Sequence, residues 1–289
     1  MMLQIWAPDG VGEIASGTDL AHVLLSVAEL EDGDIVVVTS KVVAKSEGRV
    51  VAGDRAEWIE RESVRVVARR GETAIVRTPH GLTMAAAGID ASNVAPGLLV
   101  LLPIDPDASA RSIRTAIAEH GGANVGVLIS DTSGRAWRVG QTDIAIGAAG
   151  VRVADDHRGT TDAYGNALAV TLPAVADELT GAAELVAGKT GGRPFAVVRG
   201  RSDLVLPIGD DGAGAASLVR TDAEDMFGLG AREAVLHAIV GDPGEQGAFG
   251  GRAPVEDVRA ALAQVPGAGP EAVAAILYAY GWRVSESTD

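Results

Sequence analysis

Not one cysteine occurs among the 289 residues, so disulfides, thiolate nucleophiles and cysteine-bound zinc or iron–sulfur centres are excluded from the outset. Aromatic side chains are almost as scarce, at 3% of the chain, although apolar residues reach 47%. A core of that size has to be assembled from Val, Leu, Ile and Ala. The length suits one large domain, or a domain with a small appendage. Positive charge is also short: 24 Lys and Arg face 39 Asp and Glu, a net charge of −15. General affinity for nucleic acid needs a basic face and is not expected. Small anionic molecules remain admissible if local Lys or Arg, or a divalent ion held by carboxylates, receives them. No stretch approaches ~18 uninterrupted apolar residues. Met1–Gly10 lacks a leader pattern, so a soluble, cytoplasmic protein without membrane attachment is expected.

What is plentiful is glycine, 37 residues, which suits loops whose backbone wraps a phosphate. Strand-like and helix-like stretches alternate. Leu20, Val23, Leu24 and Val27 fall at helical spacing after a Thr18 cap, Asp32-Gly33-Asp34 turns, and Ile35–Val38 reads as a buried strand. Further strands are expected at Thr73–Arg77, Leu98–Leu102, Val125–Ile129 and Phe195–Val198. Helices are expected at Ala56–Arg70, Ala108–His120, Leu172–Ala187 and Asp222–Val240, the last opened by the capping-box spacing Thr221-x-x-Glu224. The fold class is mixed α/β (α+β), with no strand order derivable. Residues 1–240 read as the main domain and 241–253 (GDPGEQGAFGGRA) as a linker. Residues 254–289 read as a small helical appendage with two short helices, near Pro254–Gln264 and Pro270–Tyr280.

Four polar clusters stand out. Thr39–Arg49 follows the Val-rich strand and offers hydroxyls, two lysines and an arginine to a phosphate chain, unless it is an ordinary solvated loop and helix start. Ala87–Val94 sets Asp90 and Asn93 in a turn, as a metal and ligand station or as an Asx turn. Ile129–Arg135 ends an apolar strand in Asp131-Thr132, hard oxygen donors of the kind Mg2+ and Mn2+ accept beside substrate phosphates, with Arg135 close by. A turn begun by Asp would look the same. Ala187–Pro194 contains Gly188-Lys189-Thr190-Gly191-Gly192 but is no P-loop, because Ala183 replaces the required glycine and a helix precedes it. Its glycines, Lys189 and Arg193 can still hold an anion, or simply end a helix. The five histidines show no metal-ligand spacing, Ser133 lacks a nucleophile elbow, and no GxGxxG follows the first strand. These residues point to nucleotide phosphate chemistry.

The clusters in this order resemble the coenzyme F420-0:γ-glutamyl ligase family. The resemblance runs from about residue 1 to about 240. It is carried by Asp32-Gly33-Asp34, Ser40–Arg49, Ala87–Val94, Leu128–Arg135, Ala145-Ile146-Gly147, Asp162–Gly165, Ala176-Asp177-Glu178 and Val197–Gly200. The combination of AGIDxSN with DTxGR about 40 residues later is far more specific than either part. It implies the family's fold as an intertwined homodimer. It also implies a ligase that joins L-glutamate to F420-0 with GTP as co-substrate, through an acyl phosphate. Gly10, Val11, Gly12, Glu13, Ser40, Lys41, Lys45, Asn93, Gly188, Thr190, Gly191 and Gly192 would contact the nucleotide. Asp90, Asp131 and Thr132 would bind Mg2+ or Mn2+, with K+ admitted as a further cation, and Arg135 and Lys189 would act catalytically. Actinobacterial relatives often carry a C-terminal nitroreductase-like flavin domain. Only about 50 residues follow the matched region here, so a flavin-dependent activity is not expected.

Overall fold

The computed structural model describes residues 2–284 and divides into two compact units, Met1–Glu62 with Ala87–Leu218, and Ser63–Ala86 with Val219–Asp289. The first is built on β1 (Gln4–Trp6), β2 (Ile35–Thr39), β8 (Gly126–Arg135), β9 (Arg138–Ala149) and β10 (Phe195–Arg199). They form one sheet in the order β1-β10-β2-β8-β9, in which β2 and β8 run parallel and the other neighbours antiparallel. Ile35–Val38 has no polar alternation because both of its faces are covered. Ile35 and Val37 pack with Leu128, Ala148 and Val198 against α5 (Val175–Ala187), while Val36 and Val38 are equally buried on the other side. The helix α4 (Pro106–Gly121) packs on β8 and β9, and α1 (Leu20–Val27) packs on α4. Gly147 permits the close approach of α4: a Cβ there would collide with the backbone of Pro106. The short α2 (Ser40–Ser46), α3 (Arg55–Arg61) and the antiparallel pair β3 (Val50–Ala52) and β7 (Leu98–Val100) complete the unit.

Two buried charges fasten this sheet. Arg199 holds the buried Asp34 carboxylate with Nε at 2.8 Å and Nη2 at 2.7 Å. Arg114 reaches from α4 to the carbonyls of Val125, Leu206, Pro207 and Asp210, to Asn124 Oδ1 and to the Asp211 carboxylate, all between 2.7 and 3.0 Å. A side chain buried that deeply is tolerated because its guanidinium donors are spent on acceptors of the fold.

The second unit contains the antiparallel sheet β4 (Arg65–Arg70), β5 (Thr73–Arg77) and β6 (Thr83–Ala85), with α6 (Ala231–Val240), α7 (Val255–Ala263) and α8 (Pro270–Ala279). Residues 241–253 include a 3-10 turn, Gln246–Phe249, whose Phe249 ring meets Tyr278 edge-on at 5.4 Å. Among the described residues no helix is long and apolar enough to cross a membrane.

Mixed α/β architecture is as expected, and most elements lie where their patterns place them. Four details differ. The helix expected over Ala56–Arg70 stops at Arg61, because Arg65, Val66 and Ala68–Arg70 pair across a tight turn at Gly71 (φ 58°) with β5. The helix expected from Asp222 begins at Ala231; the Thr221 hydroxyl bonds the Glu224 carboxylate, not a backbone N–H, and Asp222–Glu224 is a lone 3-10 turn. Asp19, not Thr18, caps α1 by accepting from His22 N. The strand expected to end at Ile129 continues to Arg135, and its partner β9 is twelve residues long.

Candidate active site

β2 and β8 lie parallel, with Thr39 opposite Ser130 as their last register pair. The next residues on the two chains are therefore Ser40, first residue of α2, and Asp131. Parallel sheets commonly bind ligands at such carboxyl ends. The Ser40 hydroxyl donates to Asp131 Oδ1 at 2.7 Å, closing the gap between helix and strand. One position along α2, Lys41 Nζ reaches Asp90 Oδ2 at 2.6 Å and Ser92 Oγ at 2.5 Å. Asp90 sits in a turn in which Ser92 N donates to Oδ1 at 2.8 Å, and the turn ends in Asn93 at φ 55°. One helical turn on, Lys45 Nζ pairs with Glu13 Oε1 at 2.6 Å.

Because β8 continues past Asp131 as a ribbon with β9, Asp131 and Thr132 are strand residues, not the start of a loop. Thr132 faces Asp143 across the ribbon and donates to its Oδ1 at 2.7 Å, while Ser130 donates to Oδ2 at 3.1 Å. Lys189, in the loop after α5, places its ammonium 2.6 Å from Thr132 Oγ1, 2.9 Å from Glu184 and 3.3 Å from Asp143.

The electrostatics follow from these partners. Burial would raise the Asp90 carboxyl, but hydrogen bonds from Lys41 and Ser92 outweigh it and hold it down at about 2. Asp131 is the opposite case. Burial pushes it up to about 6; the Ser40 hydroxyl opposes this, and the neighbouring Asp143 and Asp90 carboxylates reinforce it. Burial works against the Lys189 ammonium too, yet its bonds to Glu184 and Asp143 raise it above the ordinary lysine range.

Ser40, Lys41, Asp90, Asp131, Thr132 and Lys189 are thus brought together. Glu13 joins through Lys45, and Gly10 lies beside Asp9, which accepts from Arg193 Nε at 2.7 Å and so ties this loop to the one containing Gly188, Thr190, Gly191 and Gly192. Val11 is half-buried, and Gly12 and the three glycines of the Lys189 loop are exposed. Among the described residues no hydrogen bond or ion pair joins Arg135 to the cluster: it sits at the tip of the ribbon, donating to the Val139 carbonyl at 3.3 Å. Asp143 and Glu184 escaped sequence reasoning. The available signal for Asp143 was a lone carboxylate in the otherwise apolar DIAIGAA, where a buried charge implies a partner. A separate cavity of about 530 Å³ lies among α1, the end of α2 and α4, and shares no residue with this cluster.

The donor set suits a hard cation. Asp131 carries a destabilised negative charge with one hydroxyl on it, and among the described residues no lysine or arginine pairs with it. No three carboxylates or imidazoles among the described residues converge on one point. The protein would therefore supply one or two carboxylates and a hydroxyl, leaving phosphate oxygens and water to complete the shell, as Mg2+ and Mn2+ accept.

The sequence profile of the F420-0:gamma-glutamyl ligase family matches residues 10–57 and 52–200, a span that includes all four elements of the cluster. The coenzyme F420:L-glutamate ligase of Methanopyrus kandleri is 38% identical over 237 residues, 74% of this chain and 93% of its own length. Its counterpart in Archaeoglobus fulgidus is 38% identical over 247 residues, 78% and 97% of the two chains. That of Haloarcula marismortui is 37% identical over 257 residues, 80% and 98%. At this identity and coverage, the chain belongs to the F420-0:gamma-glutamyl ligase family.

Proposed function

We propose that the protein joins L-glutamate to the F420-0 precursor with GTP as the energy source, through an acyl phosphate. The observation that carries this reading is the convergence of Asp90, Asp131, Thr132 and Lys189 at the ends of β2 and β8 in a member of this family. Amide formation from a free carboxylate runs uphill in water, so the acceptor carboxylate first attacks the γ-phosphorus of GTP, releasing GDP. The glutamate amine then displaces phosphate from the acyl carbon. Repetition on the new γ-carboxyl would lengthen the tail.

Asp90 and Asp131, with Thr132, would hold Mg2+ or Mn2+, which when bound neutralises charge on the transferring phosphoryl group. Ser40 keeps one oxygen of Asp131 fixed so that the other is free to act. Lys41 and Lys45, one helical turn apart on α2, and Lys189 would bring fixed positive charge to the phosphates; Gly10–Glu13, Asn93 and the loop of Gly188–Gly192 would line the nucleotide. Arg135, on its exposed ribbon, would meet a carboxylate of the acceptor. K+ would serve as an auxiliary cation. We take the working unit to be the family's intertwined homodimer, in the cytoplasm; sedimentation measures the first.

Acceptor labelled with 18O in its carboxylate should pass one labelled oxygen to inorganic phosphate for each amide formed, with GTP supporting faster turnover than ATP. Phosphate free of label, with the expelled oxygen found in water or GMP, would overturn the acyl phosphate, and equal rates with ATP would remove the guanine assignment.

A further inference from the structure

The Lys189 side chain stands on a loop between two left-handed glycines, Gly188 (φ 65°) and Gly192 (φ 64°), and is more than half exposed. Four rotatable bonds on such a loop would ordinarily let an ammonium sweep through solvent. Instead it is seated against three oxygens from three elements: Thr132 of β8, Asp143 of β9 and Glu184 of α5. Asp143, buried and far less mobile, also fixes the polarity of its neighbour. The Thr132 hydroxyl proton is committed to Asp143 Oδ1, and Ser130 occupies Oδ2. Thr132 Oγ1 can then only accept, and what it presents to the site is a lone pair, not a proton.

We propose that Asp143 and Glu184 are positioning residues. Asp143 orients Thr132 as an obligate acceptor, and the two carboxylates together dock the Lys189 ammonium on it, so that a mobile lysine becomes a fixed positive charge at the edge of the candidate active site. What the charge is for rests on the nucleotide reading given above; the docking itself does not. A Thr132 turned the other way would aim its proton, not a lone pair, at the Lys189 ammonium or an incoming phosphate. Without the two carboxylates Lys189 would neutralise phosphate only for the fraction of time it happened to lie there.

The test is the side-chain ammonium signal of Lys189 in 1H–15N spectra of the ligand-free protein, assigned by its loss in Lys189→Ala. Docked ammonium protons exchange slowly enough to be seen, and free ones do not. Wild type should show the signal, Asp143→Asn and Glu184→Gln should broaden it beyond detection, and Glu184→Asp should weaken it. Glu184 is partly exposed on α5, unlike the buried Asp143, so its variants stay informative if Asp143→Asn fails to fold. A Lys189 signal unchanged in Glu184→Gln and in folded Asp143→Asn would overturn the proposal. As a kinetic companion, Asp143→Asn should raise KM for GTP at least fivefold in wild type and add nothing in a Lys189→Met, Thr132→Val background. Additive effects would reduce Asp143 to a structural role. If the protein turns out not to use GTP, the spectra still decide the docking.

Discussion

Asp131→Asn is expected to abolish ligation while making the metal-free protein more stable. The loss comes from removing a ligand to a hard cation at the transferring phosphoryl group, worth about 4 kcal/mol of transition-state stabilisation, or about a thousandfold in kcat. The gain comes from the surroundings. Burial lifts the Asp131 carboxyl to about 6 from its ordinary 3.8, with Asp143 and Asp90 adding to the rise against Ser40. The folded state thus holds this proton more tightly than the unfolded chain. The resulting stability is fully present below 3.8 and is lost as pH rises through about 6. At neutral pH the ionised carboxylate therefore weighs against folding by up to about 3 kcal/mol. Asparagine removes the charge and can still accept from Ser40. Urea denaturation without metal, beside a turnover assay with it, checks both signs. A variant that loses activity and stability together would mean that Asp131 is an ordinary structural carboxylate.

The second large effect is purely structural. Arg114→Leu removes a donor from the carbonyls of Val125, Pro207 and Asp210, the Asn124 side chain and the Asp211 carboxylate, all now held by one buried guanidinium. Unfolding free energy should fall by about 3–5 kcal/mol, the usual result of removing one partner from a buried charged network. Arg114→Lys should recover little, since a point charge with three donors cannot reproduce a planar fork. A loss below about 1 kcal/mol would show that water replaces the guanidinium without difficulty.

Local chemistry made much of the site legible. Hydroxyl, ammonium and carboxylate groups next to an apolar strand announce themselves, and Ser40, Lys41, Asp90, Asp131, Thr132 and Lys189 were found that way or through the family's motifs. Asp143 and Glu184 were not, because their roles come from pairing across a ribbon and from a helix end folding back, which no spacing along the chain encodes. β9 was missed for a related reason. Its glycines and alanines have poor strand propensity, and register with β8 overrides it. Arg65–Arg70 reads helical in isolation and becomes a strand only because Thr73–Arg77 lies within one tight turn. The association of residues 63–86 with residues beyond 218 is likewise a long-range fact; it rests on contacts such as Arg65 with Asp222 and Arg69 N with Glu233.

Glutamate ligation itself is read out by mass spectrometry of the acceptor. The protein is incubated with the F420-0 precursor, L-glutamate, GTP and Mg2+ or Mn2+. The expected product is heavier by one or more glutamyl residues and forms only when GTP, glutamate and the metal ion are all present, with GDP appearing in equal amount to the amide. Precursor recovered at its original mass, with GTP intact or hydrolysed without coupling, would contradict it.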